Sequence, residues 1–234
     1  NTLRTPYDDK RVRKAISIVI DQAAINEATK DLRVAELGDW FLYGTPYAMT
    51  PAQLAAEPGL RTPTDADIEM AQALLADAGF PNADGFPEVT LVTRETPDQK
   101  VINAAIQAML KQHLNIDAVI ELTDVSVHGE KLRTQAYDFS TNAGYTVGLT
   151  DPAAYIVAGL GMCGDRPCDQ NMGQWEHDGF NDLIVKLTDE GEQGARIAIV
   201  NEMRDILLDE WPIMPIGPAP QFWGWSENLL GMVP

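Results

Sequence analysis

The sequence predicts an α/β fold in which a mostly parallel sheet is flanked by helices. Strand patterns over 89–93, 118–122 and 137–143 alternate with helical patterns over 101–114 and 130–134. Strand, helix and strand in succession are characteristic of a parallel sheet covered by helices. The length of 234 residues and the hydrophobic fraction of 45% are typical of a globular chain with a substantial core.

Two helices are predicted before this alternating part. The first follows Asp8 or Asp9 and the second follows Asp21, and each aspartate can accept hydrogen bonds from the free amides of a helix. Apolar residues recur behind each aspartate at helical spacing, for example Val12 and Ile16. The amino-terminal part is therefore expected to pack as helices onto the sheet.

Residues 34–63 lack periodicity and are predicted to form a long ordered loop. The loop contains four aromatic residues, Trp40, Phe41, Tyr43 and Tyr47. Loops of this length without secondary structure are uncommon in compact domains and are often functional. Trp40 and Tyr43 are therefore candidate ligand contacts.

Regular structure is predicted again on both sides of the alternating part. A helix begins at Thr64 or Asp65 and ends at Gly79. Towards the carboxyl end, the predicted elements are helices over 180–188 and 195–210 and short strands over 213–216 and 221–225.

The charge balance excludes several classes of partner. The chain has 35 acidic and 17 basic side chains, a formal net charge of −18. Nucleic acids and anionic membrane surfaces both attract clustered basic residues, so neither is an expected partner. No apolar run of about 18 residues that could span a bilayer is present. The first residues also lack the apolar segment of a signal peptide, which we expect to have preceded this chain.

Motifs for catalysis are scarce. The sequence contains no G-x-S-x-G, P-loop, G-x-G-x-x-G or H-E-x-x-H pattern. Of the three histidines, His113 is interpreted as a structural residue near a helix end, and His128 and His177 as surface residues. Asp178 and Asp182 would share one helical face as a pair of acids would, but a solvated face explains them equally well. We therefore predict no enzyme and no cofactor, with the acid pair or a cysteine thiol as the enzymatic alternative.

The two cysteines, Cys163 and Cys168, are separated by four residues. Gly164 and Pro167 lie between them and allow the ends of this short loop to approach, as a disulfide requires. Two free thiols remain possible from the spacing alone. A zinc site would need more ligands than this pair and His177 supply, so no metal site is predicted.

A ligand-binding loop is predicted after the third strand. In open α/β sheets, ligands bind at the carboxyl ends of the strands. Residues 144–149 occupy such a position, and their glycines permit close approach of a ligand to the main chain. The alternative is a plain connection with a packed tyrosine. The predicted ligand contacts are Gly144, Tyr145, Thr146, Gly148, Leu149 and Asp151, with Trp40, Tyr43 and Trp223 as further candidates.

Five segments resemble one family of proteins when they are taken together and in order. They are similar to segments of the family 5 solute-binding proteins, which serve ABC importers of peptides, nickel and some sugars. The segments are PYDDKRVRKA at 6–15, ALLADAGFP at 73–81, LNIDA at 114–118, YDF at 137–139 with DP at 151–152, and WPIMP at 211–215.

The resemblance implies a receptor lobe of the type II periplasmic-binding-protein fold. Residues 1–212 would form the carboxy-terminal lobe, and residues 213–234 would supply strands that return to a first lobe. The chain is accordingly expected to be a fragment of a monomeric receptor that closes around a small solute. A periplasmic or extracytoplasmic location, a membrane permease as partner and the absence of catalysis are also implied. A sensory or adhesion module on the same fold is the rival interpretation.

The chain departs from the family pattern where the ligand is expected. In peptide binders an aspartate in a G-W-x-x-D pattern holds the α-ammonium group, and here Tyr145 and Gly148 replace the tryptophan and the aspartate. Ala153 and Ala154 stand where nickel-chelate binders carry a histidine. An oligosaccharide or another neutral polar solute is therefore favoured over a peptide with a free amino terminus. The family also implies a disulfide between Cys163 and Cys168.

Overall fold

The computed structural model describes residues 1–33, 35–141 and 151–216. Strands and helices alternate in its middle part, as predicted. The strands are β1 (Val89–Arg94), β2 (Ala118–Thr123) and β3 (Phe139–Ser140). The helices are α1 (Lys10–Val19), α2 (Gln22–Thr29), α3 (Pro51–Ala56), α4 (Asp65–Asp77), α5 (Pro97–Leu114), α6 (Val125–Arg133), α7 (Pro152–Leu160), α8 (Asp178–Asp189) and α9 (Gln193–Glu210).

The three strands form a parallel sheet in the order β2-β1-β3. β3 is shorter than its predicted range of 137–143 and pairs with β1 through Leu91–Phe139 and Val92–Ser140. The helices α5 and α6 connect the strands, which confirms the predicted α/β class. Because the strands are parallel, their carboxyl ends lie at one edge of the sheet.

Side-chain caps fix where the first helices begin. Asp9, rather than Asp8, caps α1 by accepting a hydrogen bond from the amide of Arg11 at 2.8 Å. Asp21 caps α2 as predicted. Thr64, rather than Asp65, caps α4, because its hydroxyl and the carboxylate three residues later form a reciprocal capping box.

The apolar residues form two main cores. The first unites α1, α4, α5 and β1 around fully buried residues such as Ile16 and Ile106. The second unites α7, α8 and α9 with Trp40, Phe41 and Trp211. Arg13 of α1 joins the two halves, since its guanidinium donates to the Glu210 carbonyl oxygen at 2.9 Å and pairs with the carboxylate of that residue at 3.0 Å.

The prediction of a long loop over 34–63 was only partly right. Its second half contains α3, which begins with Pro51 after a capping box formed by Thr50 and Gln53. The sequence pattern of threonine, proline and glutamine is a helix start that a search for longer apolar stripes overlooks. Its first half is irregular where it is described, but Phe41 is buried in the second core rather than exposed.

The carboxyl-terminal part differs from the prediction in two places. Helix α7 was not predicted, although Asp151 and Pro152 give a clear cap and first turn. The predicted strand over 213–216 was wrong, because these residues are irregular in the structure. Pro215 lacks an amide donor for a ladder and no partner strand lies beside it among the residues described. The predicted strand over 221–225 lies outside the described residues.

Cys163 and Cys168 form a disulfide, with their Cα atoms 4.8 Å apart. The amide of Cys163 also donates to the Arg166 carbonyl oxygen at 2.7 Å, which closes the short loop from within. The predicted pairing is therefore confirmed, and free thiols at these positions are excluded. In the described ranges, no helix is both long and apolar enough to cross a membrane.

Candidate functional site

A buried polar cluster lies at the carboxyl edge of the sheet. It contains Thr93 at the end of β1, Thr141 directly after β3, and Gln99 and Asn103 on α5. The hydroxyl oxygens of Thr93 and Thr141 lie 2.9 Å apart, and the amide nitrogen of Asn103 donates to Thr141 Oγ1 at 2.7 Å. The Gln99 side-chain oxygen accepts from both hydroxyl groups, at 3.1 and 3.0 Å.

This cluster positions the chain at the point where a ligand is expected in a parallel α/β sheet. Thr141 is 3% exposed, so its hydrogen bonds are shielded from water. Each such bond contributes about 1 kcal/mol to stability, and a buried group left without its partner costs about 1–3 kcal/mol. The exit of β3 is therefore fixed by side chains from β1 and α5.

A cavity of about 280 Å³ lies between the two cores and reaches this edge. Arg33, Gln99 and Thr141 line it near the carboxyl ends of the strands, while Tyr7 and Trp211 line it on the side of the cores. Its volume is close to the lower end of small-molecule sites. Its wall mixes apolar residues such as Ile102 and Met214 with many polar ones, so it suits a polar solute better than an apolar one.

Arg33 supplies a cation to the cavity wall. Its Nη2 donates to the Ile216 carbonyl oxygen at 3.0 Å and to Asn26 Oδ1 at 3.1 Å. Within the described residues, no carboxylate lies inside the 4.0 Å of an ion pair with Arg33. Burial lowers the pKa of its guanidinium, with Asp98 acting in the opposite direction. An arginine always remains charged, so Arg33 can donate to carbonyl, hydroxyl or carboxylate oxygens of a solute.

His128 anchors β3 from the other side, contrary to its predicted place at the surface. The residue is fully buried, and its Nε2 lies 3.1 Å from Ser140 Oγ. Ser140 donates to the Val92 carbonyl oxygen at 2.9 Å, which leaves the Nε2–H of His128 as the donor of the pair. Among the residues described, His128 Nδ1 has no hydrogen-bond partner, and burial together with Arg94 lowers the pKa of the imidazole. Only His128 and Leu132 of α6 are buried, so the histidine shares the inner face of the helix with a single leucine.

The other histidines are placed as follows. His113 lies in the last turn of α5, near the helix end where it was predicted. His177 caps α8, with its Nδ1 accepting from the amide of Phe180 at 3.1 Å, and its ring stacks on Trp175. Each histidine therefore lies at the end of a helix. The sequence pattern did not indicate that His177 caps α8.

Most of the predicted ligand contacts lie outside the described residues. These are Gly144, Tyr145, Thr146, Gly148, Leu149 and Trp223, and their roles stay predictions. Tyr43 is 49% exposed and remains accessible to a ligand.

The prediction that Trp40 contacts the ligand has to be corrected, because this residue is 3% exposed and belongs to the second core. Its ring packs edge-on against Trp211, and its indole nitrogen donates to the Ile213 carbonyl oxygen at 2.9 Å. An aromatic residue in a segment without periodicity cannot be assigned to the core or the surface from the sequence alone.

Asp151 caps α7 and forms an ion pair with α9. Its carboxylate accepts from the amide of Ala153 at 3.0 Å and forms an ion pair with Arg196 of α9. Arg196 also donates from Nε to the hydroxyl oxygen of Tyr47 at 3.2 Å. The sequence identified Asp151 as important but not the arginine that holds it.

A buried ion pair joins the loop before α3 to α9. Arg204 Nε lies 2.8 Å from Asp39 Oδ2, and the two side chains are 7% and 0% exposed. The Arg204 guanidinium also donates to the Tyr47 carbonyl oxygen and lies 5.2 Å from the centre of the Phe41 ring. Burial raises the pKa of Asp39, although the hydrogen bond from Arg204 opposes this effect. No spacing rule in the sequence links these two distant residues.

The structure gives little support to an active site in the part it describes. Asp178 and Asp182 both lie on α8 and are exposed. The disulfide removes the thiol groups that the alternative prediction required. Nowhere in the described ranges do three or more histidine, cysteine or acidic side chains form a group that could hold a metal ion.

Comparison with known proteins identifies the family of the chain and the class of its fold. The model for "Bacterial extracellular solute-binding proteins, family 5 Middle" matches residues 1–164. The chain therefore belongs to family 5 of these solute-binding proteins, a family of binding proteins rather than of enzymes.

Individual relatives agree with this assignment. The chain is 24% identical over 245 residues to the oligopeptide-binding protein OppA of Bacillus subtilis strain 168, covering 100% of this chain and 41% of that protein. The solved murein tripeptide binding protein MppA of Escherichia coli is similar with a TM-score of 0.77 and 20% identity, over 92% of this chain and 40% of that one. AgaA of A. tumefaciens R10, solved with agropinic acid, gives a TM-score of 0.71 and 24% identity, over 91% and 41%.

These structures share the type II periplasmic-binding-protein fold, which confirms the predicted fold class. The chain spans about two fifths of the length of the relatives it matches.

Proposed function

We propose that this chain is the carboxy-terminal lobe of an extracytoplasmic receptor that captures a small polar solute for an ABC importer. The carrying observation is the cavity at the carboxyl edge of the sheet, lined by Arg33, Gln99 and Thr141. Membership of a solute-binding family supports a binding role for this edge. The solute would be enclosed between this lobe and a second one by hinge closure.

The proposed division of the chain follows from the same arrangement. Residues 1–212 form the lobe, and residues 213–234 cross to the other lobe.

The solute is proposed to be a peptide or an oligosaccharide. Relatives named as oligopeptide- and dipeptide-binding proteins favour the first, while the relative solved with agropinic acid shows that related folds hold other polar molecules. Gly148 replaces the carboxylate that would hold a peptide ammonium group, which favours the second. Arg33 provides donors that suit the oxygen-rich groups of either class.

The receptor is proposed to work without catalysis, cofactor or resident metal, as a monomer beside a membrane permease. The energy for uptake would come from the ATPase of the transporter. The Cys163–Cys168 disulfide supports an oxidising location such as the periplasm. No nucleic acid is expected as a partner at a net charge of −18.

The test is a thermal-shift and calorimetric screen of the full natural protein against trialanine, maltotriose and a nickel chelate. A solute at about a hundredfold excess over its Kd stabilises the native state by about 2.7 kcal/mol, which is readily measured. Arg33→Gln should weaken the response, whereas Lys30→Gln, an exposed cation on the same segment, serves as the control.

The absence of any stabilisation by these three probes and by a wider set of peptides and sugars would refute the binding role. Measurable hydrolysis that is lost in Asp178→Asn would instead support the enzymatic alternative. A signalling domain that follows a membrane span in the full gene product would favour the sensory alternative.

A further inference from the structure

Trp211 separates the cavity from the second core. The residue is 1% exposed and lines the cavity on the side of the cores, whereas Arg33 and Thr141 line it at the carboxyl edge of the sheet. Trp40 packs edge-on against the Trp211 ring, with the ring centres 5.2 Å apart, and is not part of the cavity wall. A solute that enters from the edge of the sheet therefore meets the ring of Trp211 before it meets the core.

The main chain holds Trp211 in an unusual conformation. The residue follows the last residue of α9 with φ 45° and ψ 54°, the left-handed region that bulky side chains rarely adopt. Its amide donates to the Leu207 carbonyl oxygen at 2.9 Å, and the Ile213 carbonyl oxygen accepts from Trp40 at 2.9 Å. Such conformations persist where the surroundings hold them, and they cluster at ligand-binding and switch regions.

Gly59 leaves the room that the ring of Trp211 needs. Gly59 has φ +90°, and a Cβ atom at this position would lie 2.6 Å from Cη2 and 3.0 Å from Cζ2 of the indole. Gly59 does not line the cavity, so the ring lies between the glycine and the cavity. Among the residues described, the indole Nε1 has no hydrogen-bond partner. Packing alone therefore sets the position of the ring.

We propose that Trp211 is a specificity-determining residue whose ring limits how far a solute enters the cavity, and that Gly59 is the positioning residue behind it. The inference rests on the proposed solute-binding function and deepens it, because it assigns short solutes to this receptor. A volume of about 280 Å³, close to the lower end of small-molecule sites, agrees with a cavity that a large ring shortens.

The test is calorimetry on the full natural protein with two series of probes, dialanine to hexaalanine and maltose to maltohexaose. The measured quantity is the Kd of the probe one unit longer than the tightest-binding probe, divided by the Kd of the tightest-binding probe. Trp211→Leu extends the cavity and should lower this ratio about tenfold, the discrimination typical of a small difference in side-chain size. Gly59→Ala should raise the ratio by a similar factor, because the new Cβ displaces the ring towards the cavity.

Matched variants separate the ring from general effects on stability. Gly79→Ala is the control for the glycine, because Gly79 has φ +101° and a Cβ atom there meets no atom within 4 Å. Trp175→Leu is the control for the tryptophan, because Trp175 is buried in the same core but does not line the cavity. Both controls should keep the native ratio. Gly59→Ala combined with Trp211→Leu should show the ratio of Trp211→Leu, since the smaller side chain leaves room for the methyl group.

The results that would overturn the inference differ from those that would refute the proposed function. An unchanged ratio in Trp211→Leu, or an equal change in Trp175→Leu, overturns the specificity role even when all affinities fall. A ratio in Gly59→Ala that is unchanged, or that Gly79→Ala reproduces, removes Gly59 as the positioning residue. Where Gly59→Ala does not fold, restored folding in the double variant supports the positioning role, and its failure to fold overturns that role. A native protein that binds no probe of either series refutes the proposed function, and this inference falls with it.

Discussion

Replacing Asp39 by asparagine should destabilise the protein more than any exposed charge substitution. The change keeps the shape of the side chain but leaves the Arg204 guanidinium, whose side chain is 7% exposed, without its carboxylate. Breaking a buried ion pair on one side typically costs about 3–5 kcal/mol, and we expect about 3 kcal/mol because the asparagine oxygen can still accept one hydrogen bond. Urea denaturation at neutral pH measures this free energy of unfolding directly.

A matched control lies in the disulfide loop. Arg166 and Asp169 pair at 2.9 Å, but their side chains are 69% and 85% exposed. Asp169→Asn removes the same charge and should change the free energy of unfolding by less than about 0.5 kcal/mol. A comparable loss in both variants would show that net charge rather than burial is responsible.

The pKa of Asp39 shows where the loss has to come from. Burial raises that pKa, so the charged carboxylate is itself costly in the native state, and the loss expected for Asp39→Asn comes from the Arg204 guanidinium left buried without its partner. The charged pair is therefore costly to bury, and the double variant Asp39→Asn with Arg204→Met should recover most of the loss. A loss below about 1 kcal/mol for Asp39→Asn, or no recovery in the double variant, would refute this account of the pair.

Three further predictions concern the edge of the sheet. Thr141→Val removes the hydroxyl that both accepts and donates in the buried cluster, and it should lower the free energy of unfolding, measured in urea, by about 1–3 kcal/mol. Thr134→Val is the control, because the Thr134 hydroxyl makes its hydrogen bond at an exposed helix end. Because burial lowers the pKa of His128, the unfolded state binds a proton that the native state excludes, so stability should fall as the pH drops below about 6.5. His128→Gln should remove this pH dependence between about pH 5.5 and pH 7.5, and an unchanged dependence would contradict the assignment. Arg33→Gln should weaken solute binding about tenfold in calorimetry with little change in melting temperature, and equal affinity would exclude Arg33 from the site.

The sequence predicted the elements that have their own local pattern. β1 and β2, α5 and the cap of α2 at Asp21 appeared close to their predicted positions. Each combines a periodic apolar pattern with a clear start signal, so local and tertiary preferences agree. The disulfide belongs to the same group, because the four residues between the two cysteines form a short loop whose ends can approach.

The parts that the sequence missed depend on distant residues. Trp40 was expected as a ligand contact and His128 as a surface residue, and both are buried. The pair of Asp39 and Arg204 spans 165 positions, and no periodicity connects them. The candidate site follows the same division: its place at the carboxyl edge could be predicted from topology, whereas Arg33 as part of its wall could not.

Arg13 contacts both the segment before α1 and the end of α9. The same guanidinium that pairs with Glu210 also donates to the Tyr7 and Asp8 carbonyl oxygens, both at 3.0 Å. The segment before α1 and the end of α9 are therefore held by one guanidinium group, so a displacement of either one is transmitted to the other through Arg13.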